Sequence, residues 1–86
     1  MNEYNIGMLA RSKAGHDKDK VYVIIDADQT YVYLADGRIR TLNNLKKKKR
    51  KHVQIIKNEY DILKIDNEKI KYILKEWNKE EIKQED

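Results

Sequence analysis

Apolar and polar positions along the chain fall into several short alternating segments followed by one segment of helical period. Residues 4–11 set Ile6, Met8 and Ala10 on one parity and Gly7 and Leu9 on the other, which predicts a first strand. Residues 12–20 hold no apolar side chain larger than alanine and carry Gly15, so they predict a loop, with Gly15 suited to a positive φ or a close approach. Residues 21–27, Val-Tyr-Val-Ile-Ile-Asp-Ala, are short, β-branched and aromatic, the composition of a strand buried on both faces. Asp28-Gln29 punctuates, and residues 30–35 predict a further strand. Asp36-Gly37 then predicts a type I′ turn, with residues 38–42 as the returning strand. His52 to Ile56 supplies a closing strand, and 57–65 a short strand or turn. From Asn67 the spacing changes: Ile70, Ile73, Leu74 and Trp77 lie at i, i+3, i+4 and i+7 of a helix, with Asp66 or Asn67 as N-cap and Glu68 in the first turn. Only Ile82 continues the stripe, so the last turns are expected to fray. The pattern predicts a mostly β protein, a small β-barrel (residues 1–56) followed by a connecting segment and an amphipathic helix (57–86).

A two-residue turn at Asp36-Gly37 fixes a register. It pairs Ala35 with Arg38, Leu34 with Ile39, Tyr33 with Arg40 and Val32 with Thr41, since side chains alternate faces. One face then carries Val32, Leu34, Ile39 and Thr41 as core. The other carries Tyr31, Tyr33, Ala35, Arg38, Arg40 and Leu42, a cationic and aromatic surface. Tyr33, Arg38 and Arg40 are the candidates there for stacking on bases or clamping phosphates. The opposing expectation is that the helix covers this face. Trp77 is read chiefly as docking the helix on the barrel.

Charge sharpens the picture. The 86 residues have a net charge of +4, but residues 1–53 carry +6 and residues 54–86 carry −2. The absence of cysteine excludes disulfides, thiolate metal sites and a cysteine nucleophile. The start lacks the basic and apolar regions of a signal peptide, and the longest apolar run, residues 21–25, is far short of the roughly 20 that span a bilayer. A soluble, cytoplasmic, single-domain monomer is expected.

Six consecutive basic residues, Lys46, Lys47, Lys48, Lys49, Arg50 and Lys51, form the densest feature. Such a run is relieved by solvent or by an anionic partner, and phosphate contacts release counterions. Lys13, Gly15, His16, Lys18 and Lys20 make a second basic loop, interleaved with Asp17 and Asp19. Chemistry for catalysis is lacking: His16 and His52 are isolated, the paired aspartates suit turns and charge pairing, and there is no phosphate-binding glycine motif or nucleophile elbow. No enzyme activity, cofactor, metal or small-molecule substrate is expected.

Residues 6–25, Ile-Gly-Met-Leu-Ala-Arg-Ser-Lys-Ala-Gly-His-Asp-Lys-Asp-Lys-Val-Tyr-Val-Ile-Ile, resemble a KOW motif: a strand, a basic loop with one key glycine, and a second strand. The continuation Tyr-Val-Tyr-Leu-Ala-Asp-Gly-Arg-Ile-Arg-Thr-Leu and the run Lys-Lys-Lys-Lys-Arg-Lys-His resemble the small bacterial KOW domain-containing RNA-binding proteins, themselves similar to KOW-type large-subunit ribosomal proteins of archaea and eukaryotes. The resemblance covers about residues 5–56 and implies an SH3-like barrel, RNA as partner (ribosomal RNA first) and association with the ribosome and its proteins. It makes Gly15 the motif glycine and places Lys13, His16 and Lys18 where the loop approaches RNA. Asp17 and Asp19 depart from the family pattern, which moves the expected phosphate contact toward residues 46–51. The competing expectation is a protein-interaction adaptor docking through the helix around Trp77.

Overall fold

A computed structural model of the chain describes residues 4–84, with side chains as far as residue 81. Among the described residues, five strands and one helix follow one another as β1 (Leu9–Ser12), β2 (Val21–Ala27), β3 (Tyr31–Ala35), β4 (Lys46–Lys49), β5 (Val53–Ile56) and α1 (Asn67–Gln84), with a 3-10 turn at Arg50–His52 between β4 and β5. The strands form one antiparallel sheet in the order β4-β3-β2-β1-β5. The sheet is open: β4 and β5 are its edges, joined through the 3-10 turn.

Strand alternation divides the apolar residues between two clusters. Ala10, Tyr22, Ile24, Val32, Leu34 and Val53 form an interior cluster without any residue of the helix, so the sheet buries it by curling on itself. Leu9, Val23 and Ala35 point to the opposite face, where Ile70, Ile73 and Trp77 of α1 cover them. Burying such side chains contributes about 1.5–3 kcal/mol each, enough to dock a helix whose outer side is polar. Trp77 is 8% exposed and Arg11 lies 5.8 Å above its ring, so the indole belongs to the core. In β2 the register slips between Ile24 and Asp26, and Ile25 bulges out of the ladder, which lets this central strand bend between the two clusters.

The bounds of the first strand and the Asp36-Gly37 hairpin need correction. The first strand is shorter, because Asn5 (φ 64°) and Gly7 (φ 87°) turn the chain before Leu9. The helix runs to Gln84, with Asp66 capping its start by accepting from the Lys69 amide at 2.8 Å; the Ile82 side chain lies outside the described residues. Of the short strand or turn expected over residues 57–65, the turn is what forms, at Leu63-Lys64.

The largest correction concerns the Asp36-Gly37 hairpin. β3 ends at Ala35, and its partner is the lysine run: Tyr31 faces Lys49, Val32 faces Lys48, Tyr33 faces Lys47 and Leu34 faces Lys46. Residues 36–40 instead close on themselves. The Asp36 carboxylate accepts from the amides of Arg38 and Arg40 at 2.8 and 2.9 Å, and the amides of Asp36 and Gly37 both donate to the Arg40 carbonyl. Asp36 keeps a negative φ, so the type I′ turn, which needs two positive values, does not form. Ile39, expected in the core, is 73% exposed, and Thr41 lies outside both apolar clusters. A strand of lysines is sustainable at β4 because an edge strand leaves room for long stems to carry their charges to solvent or to a partner.

Candidate nucleic-acid interface

The alternation of β4 sorts the basic run into two sets. Lys46 and Lys48 share a face with Leu34 and Val32, and their side chains turn toward the loop of residues 13–20. There Asp17 collects four donors: Ser12 Oγ at 2.8 Å, the Tyr22 hydroxyl at 2.8 Å, Lys48 Nζ at 3.2 Å and, more loosely, Lys46 Nζ at 3.5 Å. Lys48 Nζ also donates to the Ala14 carbonyl at 3.0 Å, pinning the loop to β4. Asp17 therefore does not oppose a phosphate from the loop surface. It faces inward and is already neutralised.

Burial alone would raise the Asp17 pKa. The hydrogen bonds from Tyr22, Ser12 and Lys48 outweigh burial and hold the carboxyl far below the usual carboxylate range. Burial and the same bond to Asp17 push the Tyr22 hydroxyl well above its ordinary value. Asp36 is also held low: burial opposes ionisation, but Lys20, which forms an ion pair with it, and the amides of Arg38 and Arg40 prevail. These shifts fix the pH dependence of stability. As pH falls below about 4, the unfolded chain takes up protons that Asp17 and Asp36 refuse in the fold, so stability is lost on acidification. Above about 10, unfolded Tyr22 ionises while the folded residue stays neutral, so stability is lost again. A urea midpoint flat from about pH 5 to 9 and falling on both sides is expected; an acid limb still flat at about pH 3 would contradict the role given to Asp17.

Lys47 and Lys49 occupy the other face of β4, exposed beside Tyr31 and Tyr33. The Lys47 ammonium stands 4.2 Å from the centre of the Tyr31 ring, within cation–π range. The cationic, aromatic face anticipated with Arg38 and Arg40 thus exists with two lysines in their place. The two arginines lie on the 36–40 turn beside the start of α1, where Gly37 packs on Asn67 and Lys71 and Arg40 reaches Asn44 Oδ1. Ala35, the third residue of that face on β3, is the part that α1 covers.

The remaining candidates divide between structural and exposed roles. Lys20 is committed to Asp36, and Arg50 to the carbonyls of Asp28 and Tyr4 and to Asn5 Oδ1. Lys13, His16 and Lys18 are exposed on the loop, and Gly15 has the positive φ (89°) that its position requires. The Lys13 amide donates to the His52 carbonyl at 2.8 Å, which sets the loop beside exposed Lys51. The 13–20 loop is thereby tied to the 3-10 turn and, through Lys48, to the inner face of β4. Tyr4 went unnoticed in the sequence. It lies under the Arg50 guanidinium, 5.7 Å away, and lines one open cleft with Tyr31; only the three-dimensional path of residues 4–8 brings it there.

Among the described residues, no group of His, Cys, Asp and Glu is arranged to hold a metal ion, and no helix is long and apolar enough to cross a membrane. Comparison with models of known protein families and with curated proteins finds no match to this chain.

Proposed function

We propose that this chain is a non-enzymatic RNA-binding protein of the KOW type, built on a partly open SH3-like barrel, and that it binds structured RNA, ribosomal RNA foremost, through one basic side. The observation that carries the reading is the sorting of the lysine run. Lys46 and Lys48 are satisfied inside, by Asp17, whereas Lys47 and Lys49 stay exposed on the outer face beside two tyrosines. Exposed like charges along one edge strand gain free energy when phosphates replace their counterions.

The barrel reading is supported by the strand order β4-β3-β2-β1-β5, by the bend of β2 at Ile25 and by the 3-10 turn that links the two edges. The KOW reading is supported by the β1–loop–β2 unit, with Gly15 in the left-handed region where the motif's glycine falls. Phosphate contacts would supply most of the affinity and RNA shape most of the selectivity.

Titration of a structured ribosomal RNA fragment over a series of salt concentrations tests this. With about four to six cations on phosphates, log K should fall against log salt with a slope of roughly −3 to −5. A slope near zero would overturn the reading.

A further inference from the structure

Phosphate binding accounts for the lysines but not for the tyrosines set among them. Tyr31 and Tyr33 are two residues apart on one strand, so their side chains stand about 6.6 Å apart on the face opposite the interior cluster. Tyr31 also borders an open cleft of ≈ 370 Å³ that it shares with Tyr4, Asp28, Gln29 and Thr30. Each wall tyrosine carries a cation on its ring, Lys47 over Tyr31 and Arg50 over Tyr4. Asp28 lines the same cleft and accepts from the amides of Thr30 and Tyr31 at 2.9 and 2.7 Å, which hold its carboxyl ionised, below its usual pKa. A carboxylate there repels phosphate yet accepts from the amino group of a base.

We infer that this face takes unpaired nucleobases by stacking, one in the cleft between Tyr4 and Tyr31 and the next toward Tyr33, while Lys47 and Lys49 hold the adjoining phosphates. The inference rests on the RNA-binding reading and narrows it: the RNA bound has a loop, bulge or single-stranded end, because bases in an A-form duplex are stacked on one another and do not reach an aromatic face. Lys47, now resting on Tyr31, yields the ring to a base and turns to the phosphate beside it, a short movement for a flexible stem.

The test uses the full chain with two probes, an oligouridine single strand and a blunt RNA duplex of equal phosphate number. The single strand should bind more tightly. Tyr31→Ala should weaken it about ten-fold or more, while Tyr31→Phe, which keeps the ring, stays within about two-fold. Tyr4→Ala, outside the sheet, should act in the same direction should Tyr31→Ala unfold the protein. Equal affinity for both probes, or alanine variants that are folded and bind oligouridine unchanged, would overturn the stacking inference and leave RNA binding standing. Failure to bind either probe at low salt would overturn both.

Discussion

Asp17→Asn is expected to remove about 3 kcal/mol of folding stability, which is large for a domain of this size. The Asp17 side chain is only 13% exposed and that of Lys48 12%, so the pair is largely shielded from water. Taking away the carboxylate charge leaves the Lys48 ammonium beside the Ala14 carbonyl without a counter-ion, and Lys46 loses its weaker partner. The amide also accepts less well than the carboxylate from the Tyr22 hydroxyl and Ser12 Oγ, and partly unsatisfied buried donors cost about 1–3 kcal/mol each. Thermal unfolding should show a midpoint lower by roughly 12–24 °C. Two companion results separate this mechanism from a generic core defect. Lys48→Met in the same chain should recover about 1 kcal/mol or more, because the stranded charge is gone. The acid limb of the stability profile should also become shallower, with Asp36 and Asp28 remaining to drive it. An Asp17→Asn variant as stable as the parent would contradict the inward-facing clamp.

Gly37→Ala is the second substitution with a large expected effect, about 3 kcal/mol or more. Two causes add. Gly37 has a φ of 82°, where an L side chain costs roughly 1–2 kcal/mol. A Cβ there would also collide with the Asn67 carbonyl and lie 2.8 Å from Lys71 Cγ. The carbonyl is backbone at the first turn of α1, and it cannot withdraw without moving the helix off Ala35 and Val23. Asn67 Oδ1 moreover accepts from the Leu42 amide at 2.9 Å, so the same displacement strains the exit of the 36–40 turn. Circular dichroism of Gly37→Ala should show helix signal lost at a denaturant concentration well below that of the parent. Gly15→Ala is the informative comparison: its φ is similarly positive, but the nearest atoms to a Cβ are 3.6 and 3.7 Å away, so only the backbone cost applies.

These substitutions mark where the sequence could and could not be read. β2 was legible to the residue, since a run of β-branched and aromatic side chains has few other uses, and the helix start was legible from Asp66 and the Ile70, Ile73, Trp77 spacing. The hairpin was not. Asp36-Gly37 carries a strong local turn signal, but the Asp36 carboxylate finds its partners two and four residues ahead, a closed loop that pattern alone does not distinguish from a hairpin. The true partner of β3 was hidden because four lysines read as solvated chain by every hydrophobic pattern. Their strand character comes from β3 and from Asp17, both outside the run.

The site shows the same division. A face of tyrosines and cations was foreseen from alternation along β3, because that depends only on strand period. Which cations stand beside the tyrosines depended on the misread partner strand, and so Arg38 and Arg40 gave way to Lys47 and Lys49. Asp17 looked like a charge set against phosphate because sequence shows sign but not direction. Once it points inward, the loop surface left by Lys13, His16 and Lys18 is more basic than the sequence implied. Tyr4 carries no local signal, since its contact with Arg50 joins residues 46 apart in the chain.

The central claim is that one side of this protein, the outer face of β4, meets RNA phosphates. Its most direct test is the salt-dependent binding of a structured ribosomal RNA fragment by the parent chain, by the double variant Lys47→Glu, Lys49→Glu, and by a control of equal charge change, Lys64→Glu, Lys69→Glu, on the connection and α1. The account predicts that the first variant loses about ten-fold or more in affinity and that its salt slope becomes shallower by about 2, while the control stays close to the parent. Equal losses in both variants, or an unchanged slope in the first, would contradict it.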